Sequence, residues 1–252
     1  MLSEKVIEWL KTTGFPLEME AASAFRAAGF DVRQSAIFPD PQLDKGREID
    51  VLAQDPDIMG VIEISFVIEC KSSTKPWVVF SSDDALTSYN RLFAFCVTSE
   101  AARYVLTERI NNLPLLERYI KRPSRGGYGF RQALGKESDP AYTAAIGALK
   151  ACHGIAQDRA SSSFPRLAFA FPVIVIDSPL FECSRKQDGE LELVEVSNSE
   201  FLFSAYIPDY IGCCIKVIKK EYLPDFAQWA KELANSIRVE LKDEEANAFK
   251  VK

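Results

Sequence analysis

Ten consecutive uncharged residues, Leu167 to Ile176 (LAFAFPVIVI), constrain the fold more than any other stretch of this chain. The run carries Pro172 and is far shorter than the roughly 20 residues a bilayer span needs, so it predicts no membrane helix. Aromatic and β-branched residues in a row, without polar alternation, read as a strand covered on both faces. Such strands lie inside sheets that have helices packed above and below, and a layered α/β fold is therefore expected. Composition allows it: 252 residues are enough to bury a sizeable core. With 47% hydrophobic and 26% charged residues, 12 Gly and 13 Pro, the chain is neither collagen-like, low-complexity nor disordered.

The surrounding pattern supplies the other layers. Residues 3–12 read as a short amphipathic helix ending at Gly14, and a second helix opens after Pro16 and runs to Gly29, with proline in and glycine out. DVRQSAIF and REIDVLAQ read as strands, DPDIMG as a turn and VIEISFVIECKSS as a longer strand, with Ser72 to Lys75 continuing it. Ser82, followed by two acids, predicts the cap of a helix through Ala94. Residues 99–120 and AYTAAIGALKACHGIA are expected to be helical, and the part from 178 to about Lys220 alternates like antiparallel strands with a turn at KQDGE. An amphipathic helix over about 224–241 closes the series. No internal repeat or long linker divides the chain. The expectation is a core over 1–177 with a mixed sheet flanked by helices, and a strand-and-helix extension over 178–252 packed on it rather than an independent domain.

Charge and rare residues narrow the chemistry. Thirty Lys and Arg against 36 Asp and Glu leave a formal net of −6, which excludes a uniformly basic surface but not a local one. The cysteines are Cys70, Cys96, Cys152, Cys183, Cys213 and Cys214; none forms a CxxC, and His153 is the one histidine, so a zinc site would need ligands from distant segments. One histidine also argues against Ser-His-Asp and Cys-His mechanisms. The opening MLSEKVIEWLKTTG has charges within its apolar part and no small-residue cleavage site. It does not read as a signal peptide, and a cytoplasmic location with reduced thiols is expected.

The richest stretch runs from Asp50 to Lys71. Strand alternation puts Ile62, Ile64, Phe66, Ile68 and Cys70 on one face and Glu63, Ser65, Val67, Glu69 and Lys71 on the other. In the preceding strand, Ile49, Val51 and Ala53 face one way and Glu48 and Asp50 the other; a turn at about 55–60 brings Asp50 near Glu69. Two carboxylates and a lysine in a polar groove suit a hard divalent cation such as Mg²⁺, which keeps waters and lets a phosphate complete its shell. The lysine can orient the attacking water or offset developing charge without any histidine. The competing reading is an exposed cross-strand charge pair. Glu240-Leu241-Lys242 has the same Glu-x-Lys spacing in a charged helix end and is expected to be solvated surface.

The series REIDVLA…VIECKSS resembles the PD-(D/E)xK nuclease superfamily, over roughly residues 16–177. LEMEAASAFRAAGF is similar to the first helix of the members that carry an acid there. The resemblance implies a restriction-endonuclease-like core, Asp50 and Glu69 as ligands of Mg²⁺ or Mn²⁺, Lys71 as the catalytic lysine and Glu18 as the helix acid. Glu20 is the competing choice for that last position. Ile49 stands where the proline of the family's name would be, and Cys70 could offer only its backbone carbonyl. The function implied is metal-dependent hydrolysis of DNA, endonucleolytic rather than exonucleolytic, in restriction, repair or defence. The alternative is a catalytically silent module of the same fold that binds nucleic acid or a partner protein. A metal-free RNA endonuclease is disfavoured by the single histidine. A homodimer would supply the second active site that duplex cleavage usually needs, a partner subunit would supply affinity, and no membrane is expected.

Residues 118–136 contain Arg118, Lys121, Arg122, Arg125, Arg131 and Lys136 and no acid among them. With Tyr119, Tyr128 and Phe130 they read as a Gly-rich loop that tracks phosphates and stacks on bases, against the plainer reading of a solvated loop. Lys75, Lys121, Arg122, Arg125 and Arg131 are the candidate nucleic-acid contacts. GGYG lacks the Lys-Ser/Thr of a P-loop. Trp9 and Trp229 read as core, Trp77 as either core or a cover over the groove, and Asp177 as a turn cap.

Overall fold

A computed structural model describes residues 1–40, 42, 45–83, 85–87, 89–121, 125–135, 139–157, 166–207 and 209–248. Eleven strands form one mixed sheet: β1 (Asp31–Pro39), β2 (Gly46–Gln54), β3 (Ile62–Lys71), β4 (Trp77–Ser82), β5 (Val97–Thr98), β6 (Gly126–Gln132), β7 (Leu167–Ile176), β8 (Leu180–Arg185), β9 (Leu191–Glu195), β10 (Asn198–Ile207) and β11 (Asp209–Lys219). Their order is β1-β2-β3-β7-β11-β10-β6-β4-β8-β9, with β5 pairing the first half of β7. The apolar run is β7, every residue of it buried, and it lies parallel to both β3 and β11. This is the covered central strand its composition demands.

Helices cover both faces. Helices α1 (Leu2–Lys11), α2 (Phe15–Ala27), α3 (Arg91–Phe95), α4 (Glu100–Arg109), α5 (Glu117–Ile120), α6 (Pro140–Ala156), α7 (Leu223–Glu240) and α8 (Lys242–Ala248) follow the chain order. On one face α2 and α7 bury Leu17, Ala21, Ala22, Phe25, Phe226, Ala230 and Ile237 against Ile64, Phe66 and Ile68 of β3. Phe66 is the centre of that layer, stacked on Phe171 at 4.9 Å and meeting Phe25, Phe30 and Phe226 edge-on or tilted. Truncating such a ring costs about 3–5 kcal/mol. On the other face α6 presents Leu149 and the small residues Ala141, Ala144, Ala145 and Cys152, which bring its axis close to the sheet.

The segment from 178 onward lies within the sheet. β11 and β10 join β7 to β6, so the half made of β4, β6, β8 and β9 is reached only through them. Asp55, at the end of β2, is buried and held by Lys231 at 2.6 Å and by Arg238, both from α7.

Several local expectations are corrected. The helix expected after Ser82 begins only at Arg91, capped by the Asn90 side chain on the Leu92 N–H; Asp83 lies in a turn and Asp84 lies outside the described residues. Pro114 falls between α4 and α5, where one helix over 99–120 was expected; proline removes the donor a continuous helix would need. β3 ends at Lys71, because Asp177 captures the Ser72 hydroxyl at 2.6 Å and the Ser73 N–H at 2.8 Å. Part of the Gly-rich basic stretch is a strand, β6, between β10 and β4. Its Phe130 is buried between Trp77 and Phe201, so Trp77 is core and Phe130 is not free to stack on a base. Trp229 packs on Phe226, as expected of a core residue, but Trp9 is 58% exposed. All six cysteines are free thiols, with Cys213 and Cys214 on opposite faces. Among the described residues no helix is long and apolar enough to cross a membrane.

Candidate active site

The β2–β3 ladder runs from Gln54↔Ser65 to Val51↔Ile68 and stops. At the next level the Cys70 N–H donates to Asp50 Oδ2 at 2.7 Å, a side chain taking the place of a ladder carbonyl. The β1–β2 ladder skips the same level: Gln34 pairs Val51 and Ala36 pairs Ile49, while Ser35 between them has φ 50, the left-handed region a non-glycine residue rarely adopts. Strand alternation breaks there. Ile49 joins Leu52, Val67 and α6 in one cluster, whereas Val51 and Ala53 pack with α2 and β3 on the opposite side. The expectation that Ile49, Val51 and Ala53 share a face is corrected by this irregularity, which centres on Asp50.

Glu69 and Lys71 stand two residues apart at the end of β3, and Lys71 Nζ donates to Glu69 Oε2 at 3.0 Å. The Glu69 side chain is 12% exposed and that of Lys71 27%. Burial pushes the Glu69 carboxyl up to about 7; Asp50 adds to the rise, and Lys71 and Arg47 oppose it. Burial works against the Lys71 ammonium, but Glu69 and Asp50 outweigh it and hold its pKa above the ordinary value. This is not a solvated cross-strand pair. Gly147 of α6 lies directly over Glu69: a Cβ there would stand 3.3 Å from Oε1. The helix thereby limits the water around the carboxylate.

Glu18, in the first turn of α2, is half-buried and its pKa is raised, first by burial and then by the charges of Asp50 and Glu48, with Lys71 opposing. It therefore shares one electrostatic neighbourhood with Asp50, Glu69 and Lys71. Glu20 is exposed and lines a separate cleft against Leu223 and Pro224 at the start of α7. Cys70 points into the core, its thiol held far above the usual range by burial.

The donor set suits a hard cation with water in its shell. Asp50 Oδ1 and Glu69 Oε1 have no hydrogen-bond donor among the described residues, while Oδ2 and Oε2 are engaged by Cys70 and Lys71. Among the described residues no three acidic, histidine or cysteine side chains converge closely enough to hold an ion by themselves. Two carboxylates completed by water and substrate oxygens fit Mg²⁺ or Mn²⁺ and would not fit a closed zinc site.

Residues absent from the sequence reading complete the surroundings. Asp40 is buried, with Arg47 Nε 2.5 Å and Lys150 Nζ 3.4 Å from its Oδ2. Burial opposes its ionisation, but the Gln42 N–H and the charges of Lys150 and Arg47 hold it below the usual carboxylate range. Asp40 thus anchors a cation, Arg47, whose field reaches Glu69. Nothing in local spacing signals this, because Asp40, Arg47 and Lys150 meet only when β1, β2 and α6 assemble.

Among the described residues, three cations of the basic stretch have acidic partners. Arg118 pairs with Glu232, Arg125 with Asp83 and Glu192, and Arg131 with Asp139. Arg122 and Lys136 lie outside the described residues. Lys75 and Lys121 have no ion-pair partner among the described residues. Tyr119 packs edge-on to Trp229, while Tyr128 is exposed. Glu240, expected on the surface, is buried: it accepts the Leu115 N–H at 2.5 Å and faces Arg109 at 3.8 Å. The second Glu-x-Lys is a structural acid joining α7 to the α4–α5 connection.

Comparison with protein-family models, characterised proteins and solved structures finds no match to this chain.

Proposed function

We propose that this protein is a divalent-metal-dependent nuclease with a restriction-endonuclease-like core, of the PD-(D/E)xK type, acting on DNA. One observation carries the reading: a largely buried Glu69, poised near neutral pH, bonded to Lys71 and set near the end of β3 beside Asp50. A structural surface pair has no reason to pay for that burial, whereas a metal-binding carboxylate gains from a dry, fixed position. Asp50 and Glu69 would hold Mg²⁺ or Mn²⁺, which supplies a hydroxide-forming water and neutralises phosphate charge when bound. Lys71 Nζ orients the attacking water or offsets the charge on the phosphate. Glu18 adds negative potential at the cation, and Arg47 balances the cluster when it is empty of substrate. Lys75, four residues after Lys71, would be a candidate to meet a phosphate.

The second reading, a catalytically silent module, is favoured by one fact: Lys71 is already satisfied by Glu69. Plasmid and single-stranded DNA incubated with Mg²⁺ or Mn²⁺ separate the two. Cleavage by wild type that both Asp50→Ala and Lys71→Ala abolish, with circular dichroism unchanged, supports the nuclease. Cleavage surviving both substitutions assigns it elsewhere, and binding without cleavage by any of the three supports the silent module.

A further inference from the structure

The buried carboxylate of Asp40 gathers more positive charge than it balances. Its Oδ2 meets two cations, Arg47 Nε at 2.5 Å and Lys150 Nζ at 3.4 Å, while its Oδ1 accepts the Gln42 N–H at 2.8 Å. Among the described residues no second acid bonds either cation. Asp55, which also meets two cations, differs: Lys231 and Arg238 are answered there by Asp55 and Asp57 together. The surplus at Asp40 is unevenly placed. The Lys150 side chain is 8% exposed, whereas that of Arg47 is 42% exposed. Only Nε of Arg47 is engaged, and its two terminal nitrogens bond nothing among the described residues.

We propose that Arg47 binds a phosphate of the DNA backbone next to the one attacked at Asp50, Glu69 and Lys71. The proposal rests on the nuclease reading for its ligand. Position argues for it first. Gly147, which lies over Glu69, and Lys150, which meets Asp40, stand three residues apart on one face of α6. The Asp40 cluster and the Glu69 carboxylate therefore lie under neighbouring turns of the same helix. Arg47 precedes Asp50 by three residues on β2, about 10 Å along the strand, so it addresses a flanking phosphate and not the metal. Its field already reaches Glu69. Chemistry argues for it next: the two free nitrogens of a guanidinium match two phosphate oxygens in one plane. The cost of turning outward is small. Asp40 keeps Lys150 and the Gln42 N–H, so no buried charge is left unpaired when Arg47 leaves. Lys150 is thereby a positioning residue, and Arg47 the one that touches DNA.

Fluorescence anisotropy of a short labelled DNA duplex tests the proposal, with Ca²⁺ in place of Mg²⁺ and at several salt concentrations. Arg47→Ala should weaken binding by about tenfold. It should also lower the slope of log affinity against log salt by about 0.9, the share of one phosphate contact. Arg47→Lys keeps the charge without the fork, so it should keep the wild-type slope with an affinity between the two. A merely structural role for Arg47 would leave that slope unmoved. Binding by wild type with the same slope in Arg47→Ala overturns the proposal and leaves the nuclease reading standing. An Arg47→Ala chain that loses its circular dichroism also overturns it, because Lys150 alone would then fail to hold Asp40. Duplex bound by wild type but left uncut in Mg²⁺ removes the nuclease reading, while the slope still decides Arg47. A wild type that neither binds nor cuts removes both.

Discussion

The Cys70 N–H points at Asp50 Oδ2, 2.7 Å away, at the level where the β2–β3 ladder ends. A carboxylate that completes the backbone pairing of the neighbouring strand is fixed in position before any ligand arrives. It is also fixed opposite Ser35, whose positive φ opens the other side of β2.

This relationship separates two roles of Asp50. Asp50→Asn keeps an acceptor for the Cys70 N–H and removes the charge, so the melting temperature should stay within about 2 °C of wild type while cleavage falls by about 100-fold or more. Asp50→Ala leaves that N–H without a partner and should cost about 1–3 kcal/mol in addition. Thermal melts beside plasmid cleavage check both.

The raised pKa of Glu69 carries a pH signature. Its ordinary value is 4.5 and its folded value about 7. Below about pH 4.5 the carboxyl is protonated in both states and nothing is lost. Between the two values the unfolded chain releases the proton first, so stability falls as pH rises, and above 7 the loss is constant. Glu69→Gln cannot titrate; after allowing for its weaker bond to Lys71 it should be more stable than wild type by about 1–2 kcal/mol at pH 8 and equal near pH 4.5. Denaturant melts at several pH values would show the difference opening across that window; a constant difference would contradict it.

Gly147 leaves room for the Glu69 carboxylate because it has no side chain. Gly147→Ala adds up to about 1 kcal/mol of helix propensity. It also sets a methyl 3.3 Å from Oε1, tight enough to displace the carboxylate by a few tenths of an ångström. The expected result is unchanged or higher thermal stability with cleavage down by about tenfold, because reacting groups tolerate little misplacement.

Glu240 provides the contrast within the same chain. Glu240→Ala should cost about 2–4 kcal/mol, since Arg109 and the Leu115 N–H lose a buried acceptor. Below its melting temperature the variant should cleave at the wild-type rate. A stable Glu240→Ala, or one that loses cleavage while folded, would contradict the structural role.

Much of the layer architecture was legible in residue order. The apolar run of β7, the alternation in β3 and the Pro-in, Gly-out punctuation of α2 are local signals, because covered strands and helix ends impose their composition within a few residues. The neighbourhood of Asp50, Glu69 and Lys71 was legible for the same reason: a short hairpin joins them. The choice of Glu18 over Glu20 depended on how α2 meets β2. The two Glu-x-Lys patterns looked alike in the sense that matters least, spacing. Glu69 and Glu240 are both buried, and only their partners, Lys71 and Asp50 in one case and Arg109 and Leu115 in the other, tell a poised carboxylate from a structural one. The insertion of β10 and β11 between β7 and β6, the neutralisation of Arg118, Arg125 and Arg131, and the reach of Arg47 to Glu69 were decided by tertiary structure alone. Each depends on contacts between residues far apart in the chain, and long-range pairing leaves no periodicity for a sequence to display.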